Sequence, residues 1–318
     1  MGGLLRIGEV FRYTREKDPS VPIIDGYRNF HHATDSPGRP RVLLESGINV
    51  IAKTRGSDGL RRPALLIRSS PWKAGTRETP WHDVFDLDNG RVRYFGDHKA
   101  GLTVPTGSTR GNAALLEAFA EHNASTVAER AQAVPLLLFK AVSRNKTPKG
   151  YVEFCGAAVI EHAEQVVQEA EGDRSTFTNY VYDLAVLDLS AEDDRVDWAW
   201  IDARGTPSML AAGALANAPR SWQQWVEHGH VVLPDVRRQT TRAGSVNLPG
   251  RRVAVDAIET PGLFPAPRQP DTAAQDRLTT VGAVELTADL LLGRLGNLSV
   301  HRRNGRASRH KPLTLLWA

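Results

Sequence analysis

Apolar and polar residues alternate in short runs over the first third of the chain. Residues 41–45, 49–53 and 63–68 each read as a strand, and clusters of Gly, Asp and Ser separate them. The rhythm then changes. Residues 113–121 carry strong helix formers at helical spacing, and Thr126 with Glu129 makes a capping box for a second helix. Strand-like runs return at 135–142, 150–160 and 179–189. Residues 206–228 read as helical, with Trp222 and Trp225 three apart and so on one face, which predicts core packing. Strands, then helices, then strands again predict an α+β fold, pictured as a curved, barrel-like sheet with helices at its flank.

From 232 to 275 the composition shifts to Pro, Arg, Gly and Thr, as suits a loop-rich linker. The expected organisation is a domain over 1–231, a linker over 232–275 and a helical segment over 276–318. Within that segment residues 286–295 look helical, and residues 310–318 start an apolar helix that stops with nothing to pack on. The expectation is a chain cut from a longer protein or lacking its last domain. No repeat of 20–50 residues is visible.

A length of 318 residues with 41% hydrophobic content supports a substantial core. No apolar run approaches the roughly 18–20 residues of a membrane span, and the start lacks the features of a secretory signal, so a cytoplasmic protein without membrane contact is expected. Cys155 is the single cysteine, which leaves no internal disulfide and no cysteine-based zinc site. Its strand-like setting predicts a buried thiol. The net charge of +4 is unevenly spread: residues 232–318 hold 13 Lys/Arg against 7 Asp/Glu, and the rest hold 27 against 29. Nucleic acid gripped by the first part must therefore meet a local basic patch.

One stretch, residues 79–99, concentrates candidate chemistry. Asp88-Asn89-Gly90 predicts a tight turn between two short strands. If those strands pair, the Trp81 indole before the turn and the Asp97 carboxylate after it can converge, offering a stacking face and a hydrogen-bond acceptor. A nucleobase needs both. Asp97-His-Lys99 also has the form in which a carboxylate holds Mg²⁺ and a lysine assists water, with Asp83, Asp86 or Asp88 as a second ligand, so a Mg²⁺-dependent nuclease stays open as the alternative. An RNA-binding barrel is a third reading. No P-loop, Gly-x-Ser-x-Gly elbow or His-Glu-x-x-His occurs, and neither His31-His32 nor His228-x-His230 has metal-ligand spacing. The glycine- and hydroxyl-rich run from Gly101 to Gly111 could hold a phosphate or be an ordinary loop.

The runs Ile67-Arg-Ser-Ser-Pro-Trp72, Pro80-Trp-His-Asp-Val-Phe-Asp86 with Tyr94-Phe-Gly-Asp-His-Lys99, and Lys149-Gly-Tyr-Val-Glu-Phe-Cys-Gly156 resemble the N-terminal recognition domain of AspBHI/MspJI-type modification-dependent restriction endonucleases. The resemblance spans roughly residues 20–230. It implies an SRA-like crescent-shaped barrel that flips 5-methylcytosine out of duplex DNA into a pocket. By it, Asp97 accepts from the cytosine amino group, Trp81 stacks on or walls the ring, and Tyr94, Phe95 and, by position, Tyr27 are further wall candidates. Arg28, Arg68, Ser69, Ser70, Lys73, Arg93, Lys99 and Lys149 are the candidates for contact with the DNA backbone. The implied partner is methylated double-stranded DNA, with no cofactor unless a nuclease brings Mg²⁺. Gly305-Arg-Ala-Ser-Arg-His-Lys-Pro-Leu-Thr-Leu-Leu-Trp317 is similar to the opening of modules that precede HNH nuclease domains in McrA-like enzymes. No His-Asn-His metal finger is readable there, so no cutting activity is assigned to this chain.

Overall fold

The computed structural model describes residues 3–76, 79–144, 149–169 and 176–239, with the backbone of 284–285. The expected helices at 286–295 and 310–318 lie outside these residues. Four short strands open the chain: β1 (Leu4–Arg6), β2 (Val10–Arg12), β3 (Ile23–Ile24) and β4 (Tyr27–Asn29), followed by α1 (Phe30–Ala33). Next come β5 (Ile48–Val50), the small hairpin of β6 (Thr54–Gly56) and β7 (Gly59–Arg61), β8 (Leu65–Ser69), and the hairpin of β9 (Val84–Asp86) and β10 (Arg91–Phe95). Two helices, α2 (Arg110–His122) and α3 (Val127–Gln132), precede the long strands β11 (Leu136–Ala141), β12 (Tyr151–Glu169) and β13 (Thr176–Val186). The described fold ends in β14 (Arg195–Asp197), α4 (Trp198–Gly205), α5 (Ala211–Leu215), α6 (Arg220–His228) and α7 (Leu233–Val236).

The bend of β12 organises the sheet. Its first half pairs with β11 and its second half with β13. Gly156, at φ +120°, and register shifts beside Leu138 and between Ile160 and His162 let one strand serve two directions of ladder. One arm runs β3-β4-β2-β12-β11-β8-β5, and the other runs from β12 through β13 and β10 to β9. No ladder joins the free ends of the two arms among the described residues; side chains bridge them instead. Ser69 Oγ on β8 donates to Asp83 Oδ2 at 2.8 Å just before β9, and Tyr94 OH on β10 reaches the Arg68 carbonyl at 3.5 Å. The result is the expected mixed α+β arrangement, a crescent held together at its mouth by polar contacts.

Each face of the sheet carries its own core. On one, Leu115, Leu116 and Phe119 of α2 pack against Ile67, Leu138, Ile160, Tyr182 and the buried Cys155, whose thiol burial pushes up to about 12. His122 ties this helix to the sheet: Nδ1 accepts from the Ile160 N–H at 2.9 Å and Nε2 faces the Val134 carbonyl at 2.8 Å, so the ring is neutral, and burial holds it down to about 3. On the other face, Trp198, Trp200, Trp222 and Trp225 join Phe11, Phe30, Phe139 and Phe154. The fully buried Arg204 guanidinium donates to the carbonyls of Arg62, Pro63, Ala131, Gln132 and Ala133, so one side chain satisfies the irregular backbone between the helices and the sheet.

Several expectations meet the structure directly. The capping box of Thr126 and Glu129 starts α3 with both reciprocal bonds formed. Trp222 and Trp225 are fully buried on one face of α6. Residues 41–45 do not form a strand: Arg68 donates to the carbonyls of Leu44 and Glu45, and the Leu44 N–H donates to Tyr13 OH, so side chains take the place of a ladder. The stretch 206–228 is two helices, with Pro207 and Pro219 at their approaches, and α4 precedes it. The composition shift at 232 lies ahead of the end of the described fold, since Leu233 and Val236 are buried in the core and the Arg238 N–H donates to the Val186 carbonyl at 2.8 Å.

Candidate nucleic-acid interface

The turn of the β9–β10 hairpin forms where Asp88-Asn89-Gly90 predicts it. Asp86 accepts from the Asn89 backbone N–H at 3.2 Å and from its side-chain amide at 2.6 Å, and Gly90 adopts φ +62°. Along β10 successive side chains alternate in direction. Val92 and Tyr94 turn into the α2 core, whereas Arg93 and Phe95 take the other face. Trp81 lies against Phe95, with ring centroids 6.4 Å apart and planes 26° from parallel, and against Phe177 of β13 at 6.4 Å. Trp81, Phe95 and Phe177 thus form a small aromatic cluster of their own.

Asp83 lies two residues on from Trp81 and is bonded to the backbone of Phe95. Besides Ser69, its carboxylate accepts from the Phe95 backbone N–H at 3.1 Å. Part of its surface still meets solvent, so it lies recessed without being sealed in. Desolvation pushes the carboxyl up to about 6, against the two hydrogen bonds that favour ionisation. A recessed acid with spare acceptor positions and a shifted pKa, close in the chain to an aromatic cluster, has the properties of a ligand-reading group.

Asp97 is used differently. Oδ1 accepts from Thr109 Oγ1 at 2.5 Å and from the Asn112 N–H at 2.9 Å, and Oδ2 accepts from the Gly111 N–H at 2.7 Å. These are the unfilled donors of the first turn of α2, so Asp97 caps that helix from a distance in sequence. Asp97 thus sits at the start of α2, while Asp83, two residues from Trp81, is bonded to the backbone of Phe95, the ring that lies against Trp81. Tyr94 is only 4% exposed and packs in the α2 core. Tyr27 packs edge-on against Tyr151 at 5.2 Å on β4, four strand positions from β8 along the sheet, roughly 20 Å away. It does not line the Trp81 cluster.

The basic candidates divide. Lys73, Lys99 and Lys149 are exposed, and Ser70 is partly so, in the turn that leads to Lys73. Arg68 is committed to the Leu44 and Glu45 carbonyls, and Ser69 to Asp83. Arg28 pairs with Glu9 at 3.1 Å, and Arg93 with Asp183 at 3.2 Å. Exposed apolar side chains outside the sequence-derived candidates are Trp72, 40% exposed, and Leu102 and Val104 on the loop between β10 and α2, each 47% exposed. Arg77, another basic residue here, lies outside the described residues.

Comparison with known proteins points to one family. Residues 45–235 match the family described as restriction endonuclease AspBHI N-terminal. Residues 288–318, outside the described residues, match the ScoMcrA-like DNA sulfur-binding domain. Among solved structures, the MspJI restriction endonuclease in complex with a 27-mer oligonucleotide is 43% identical with a TM-score of 0.71, covering 77% of this chain and 56% of that one. The chain thus spans little more than half the length of that enzyme. The DNA recognition domain of the cytosine modification-dependent restriction endonuclease LpnPI, at 18% identity and a TM-score of 0.50, covers 71% of this chain and 88% of its own, and shows the fold alone. No match was found among curated proteins. Over a continuous 45–235 match that takes in strands β5 to β14 and the β9–β10 hairpin, this chain belongs to the family of AspBHI-type restriction endonuclease N-terminal domains and has their SRA-like fold.

Proposed function

We propose that this chain binds duplex DNA carrying 5-methylcytosine and reads it by turning the modified base out of the helix, as the recognition part of a modification-dependent restriction system. The observation that carries the reading is the partly exposed Asp83 carboxyl bonded to the Phe95 backbone N–H beside the cluster of Trp81, Phe95 and Phe177, in a chain 43% identical to an enzyme solved on an oligonucleotide. Contact with a methyl group alone discriminates by only about 1–3 kcal/mol, so enclosing the base makes the stronger test. Extrusion costs a few kcal/mol of stacking and pairing, which aromatic contact and hydrogen bonds to the Watson–Crick edge offset.

In this reading Trp81 and Phe95 wall the ring, and ionised Asp83 accepts from the cytosine amino group. Thymine, with a carbonyl there, meets repulsion instead. Asp97 acts indirectly by fixing the first turn of α2 and the loop before it. Leu102 or Val104 on that loop fills the space the base leaves, and Lys73, Lys99 and Lys149 contact phosphates. The Mg²⁺-nuclease alternative is weakened because the Asp97 oxygens already accept three hydrogen bonds. The reader extends to about residue 239, and the second match at 288–318 belongs to a separate DNA-binding module.

Titrating methylated, hydroxymethylated and unmodified duplexes, with and without Mg²⁺, tests this by following binding and cleavage together. Tighter binding to the methylated duplex, lost in Asp83→Ala, is expected. Binding indifferent to methylation would overturn the reading.

A further inference from the structure

His98 stands at the start of the loop between β10 and α2 and is only 5% exposed. Each of its ring nitrogens faces a backbone carbonyl: Nδ1 lies 2.7 Å from that of Thr178 on β13, and Nε2 lies 3.1 Å from that of Val104, six residues along the loop. A carbonyl oxygen only accepts, so each contact needs an N–H on the ring. Neutral imidazole has one N–H in either tautomer, whereas imidazolium has two. The charged ring alone satisfies both contacts. His122 marks the difference, since one of its nitrogens accepts from a backbone N–H and the neutral ring suffices.

The charges around it nearly balance. On its own loop His98 lies between Asp97, whose oxygens accept from Thr109, Gly111 and Asn112, and the exposed Lys99. Strand β13 carries no Asp, Glu, Lys, Arg or His from Thr176 to Tyr182, and burial pushes the Tyr180 and Tyr182 hydroxyls up, so both stay neutral. Across the ladder, Val167 of β12 pairs with Thr178, and the exposed Glu169 comes two residues later. Arg110, also exposed, opens α2. Asp97 and Glu169 favour a positive ring, and Lys99 and Arg110 oppose it. The loop itself is held unevenly. Its second half is anchored apart from His98: Thr106 Oγ1 bonds to Thr178 Oγ1, and the Asn112 side-chain amide donates to the Thr106 carbonyl at 2.9 Å. Residues 99–104 are all exposed, and the Nε2 contact ties their far end to the sheet.

We infer that His98 is a positioning residue that acts as an imidazolium, clamping the 99–104 segment to β13 through Val104. When the ring loses its proton it keeps one N–H. The shorter contact, to Thr178, retains it, and a lone pair then faces the Val104 carbonyl, so the segment is released. The clamp belongs to the free protein; its effect on DNA rests on the reading above, in which Leu102 or Val104 and Lys99 meet the duplex. Affinity for methylated duplex then falls on both sides of a maximum, through Asp83 on the acid side and through His98 on the alkaline side.

Nitrogen-15 NMR of the His98 ring in the free, full-length chain tests the clamp, followed from about pH 5 to 8, where histidine charge changes. Two protonated ring nitrogens are expected on the acid side. As one proton leaves, hydrogen-exchange protection of the Leu102 N–H, which donates to the Lys99 carbonyl within the segment, should fall roughly tenfold, as for loss of a hydrogen bond to a charged group. His98→Gln offers one donating nitrogen. It should show the low protection at every pH, with the alkaline fall in affinity gone and the acid fall kept. A ring with one proton throughout, or a titration that leaves Leu102 protection unchanged, would overturn the inference, and both are read on the unsubstituted chain. Titration and release in the free protein with no alkaline fall in affinity would support the clamp and overturn the loop's place on the DNA.

Discussion

Two tryptophan groups divide this molecule. Trp200, Trp222 and Trp225 are packed ring on ring, at 5.3 and 4.8 Å, fully buried, with indole N–H groups that find no acceptor. Among the described residues Trp81 has two aromatic neighbours, and a partly exposed carboxyl lies two residues along the chain. The first group spends polar groups to fill volume and serves the fold. The second keeps acceptor capacity beside a ring and suits a ligand. Burial alone does not separate them, since Trp81 is itself only 8% exposed; the partly exposed carboxyl close by in the chain does.

The largest effect expected from breaking this contrast is on stability. Trp222→Ala should cost about 3–5 kcal/mol in urea unfolding, with methyl discrimination kept by whatever remains folded. Trp81→Ala should reverse the pattern, losing about 1–3 kcal/mol of binding to methylated duplex with a smaller change in unfolding midpoint. Equal losses of stability from the two would erase the distinction. Asp97→Ala should cost about 0.5–2 kcal/mol of stability through the α2 cap and leave discrimination between methylated and unmodified DNA largely intact.

The pH dependence sharpens the contrast at Asp83. Its folded pKa, about 6, is raised above the usual carboxylate value of 3.8, so its contribution to stability is present below that usual value and is lost as pH rises through about 6. Binding runs the other way, because the cytosine amino group needs the ionised form: affinity for methylated duplex should fall as pH drops below about 6, and Asp83→Asn should remove that step in fluorescence anisotropy titrations. The smallest effect belongs to the exposed lysines. Lys73→Ala or Lys99→Ala should each reduce the slope of log affinity against log salt by about 1 without altering discrimination.

Much of the framework was legible from residue order. The hairpin turn at Asn89-Gly90, the capping box at Thr126, the buried face of Trp222 and Trp225 and the strand around Cys155 rest on contacts within a few residues, where local propensity and spacing suffice. The roles of Asp83 and Asp97 were not separable that way. Both are carboxylates near an aromatic residue on one hairpin, and what distinguishes them arrives from far along the chain: Ser69 and the Phe95 amide at one, Thr109 and the start of α2 at the other. The residues 41–45, strand-like by pattern, were likewise decided by Arg68 and Tyr13.

Taken alone, the amino-acid order determined the type of the longer strands and helices, the hairpin and the family, because each is carried by short-range spacing and residue identity. Only the folded chain decided which acid caps α2, which arginines are already committed, and that β5 ends one arm of the sheet. Those outcomes depend on which backbone and side-chain groups have their hydrogen bonds satisfied by distant partners, and no local pattern encodes that accounting.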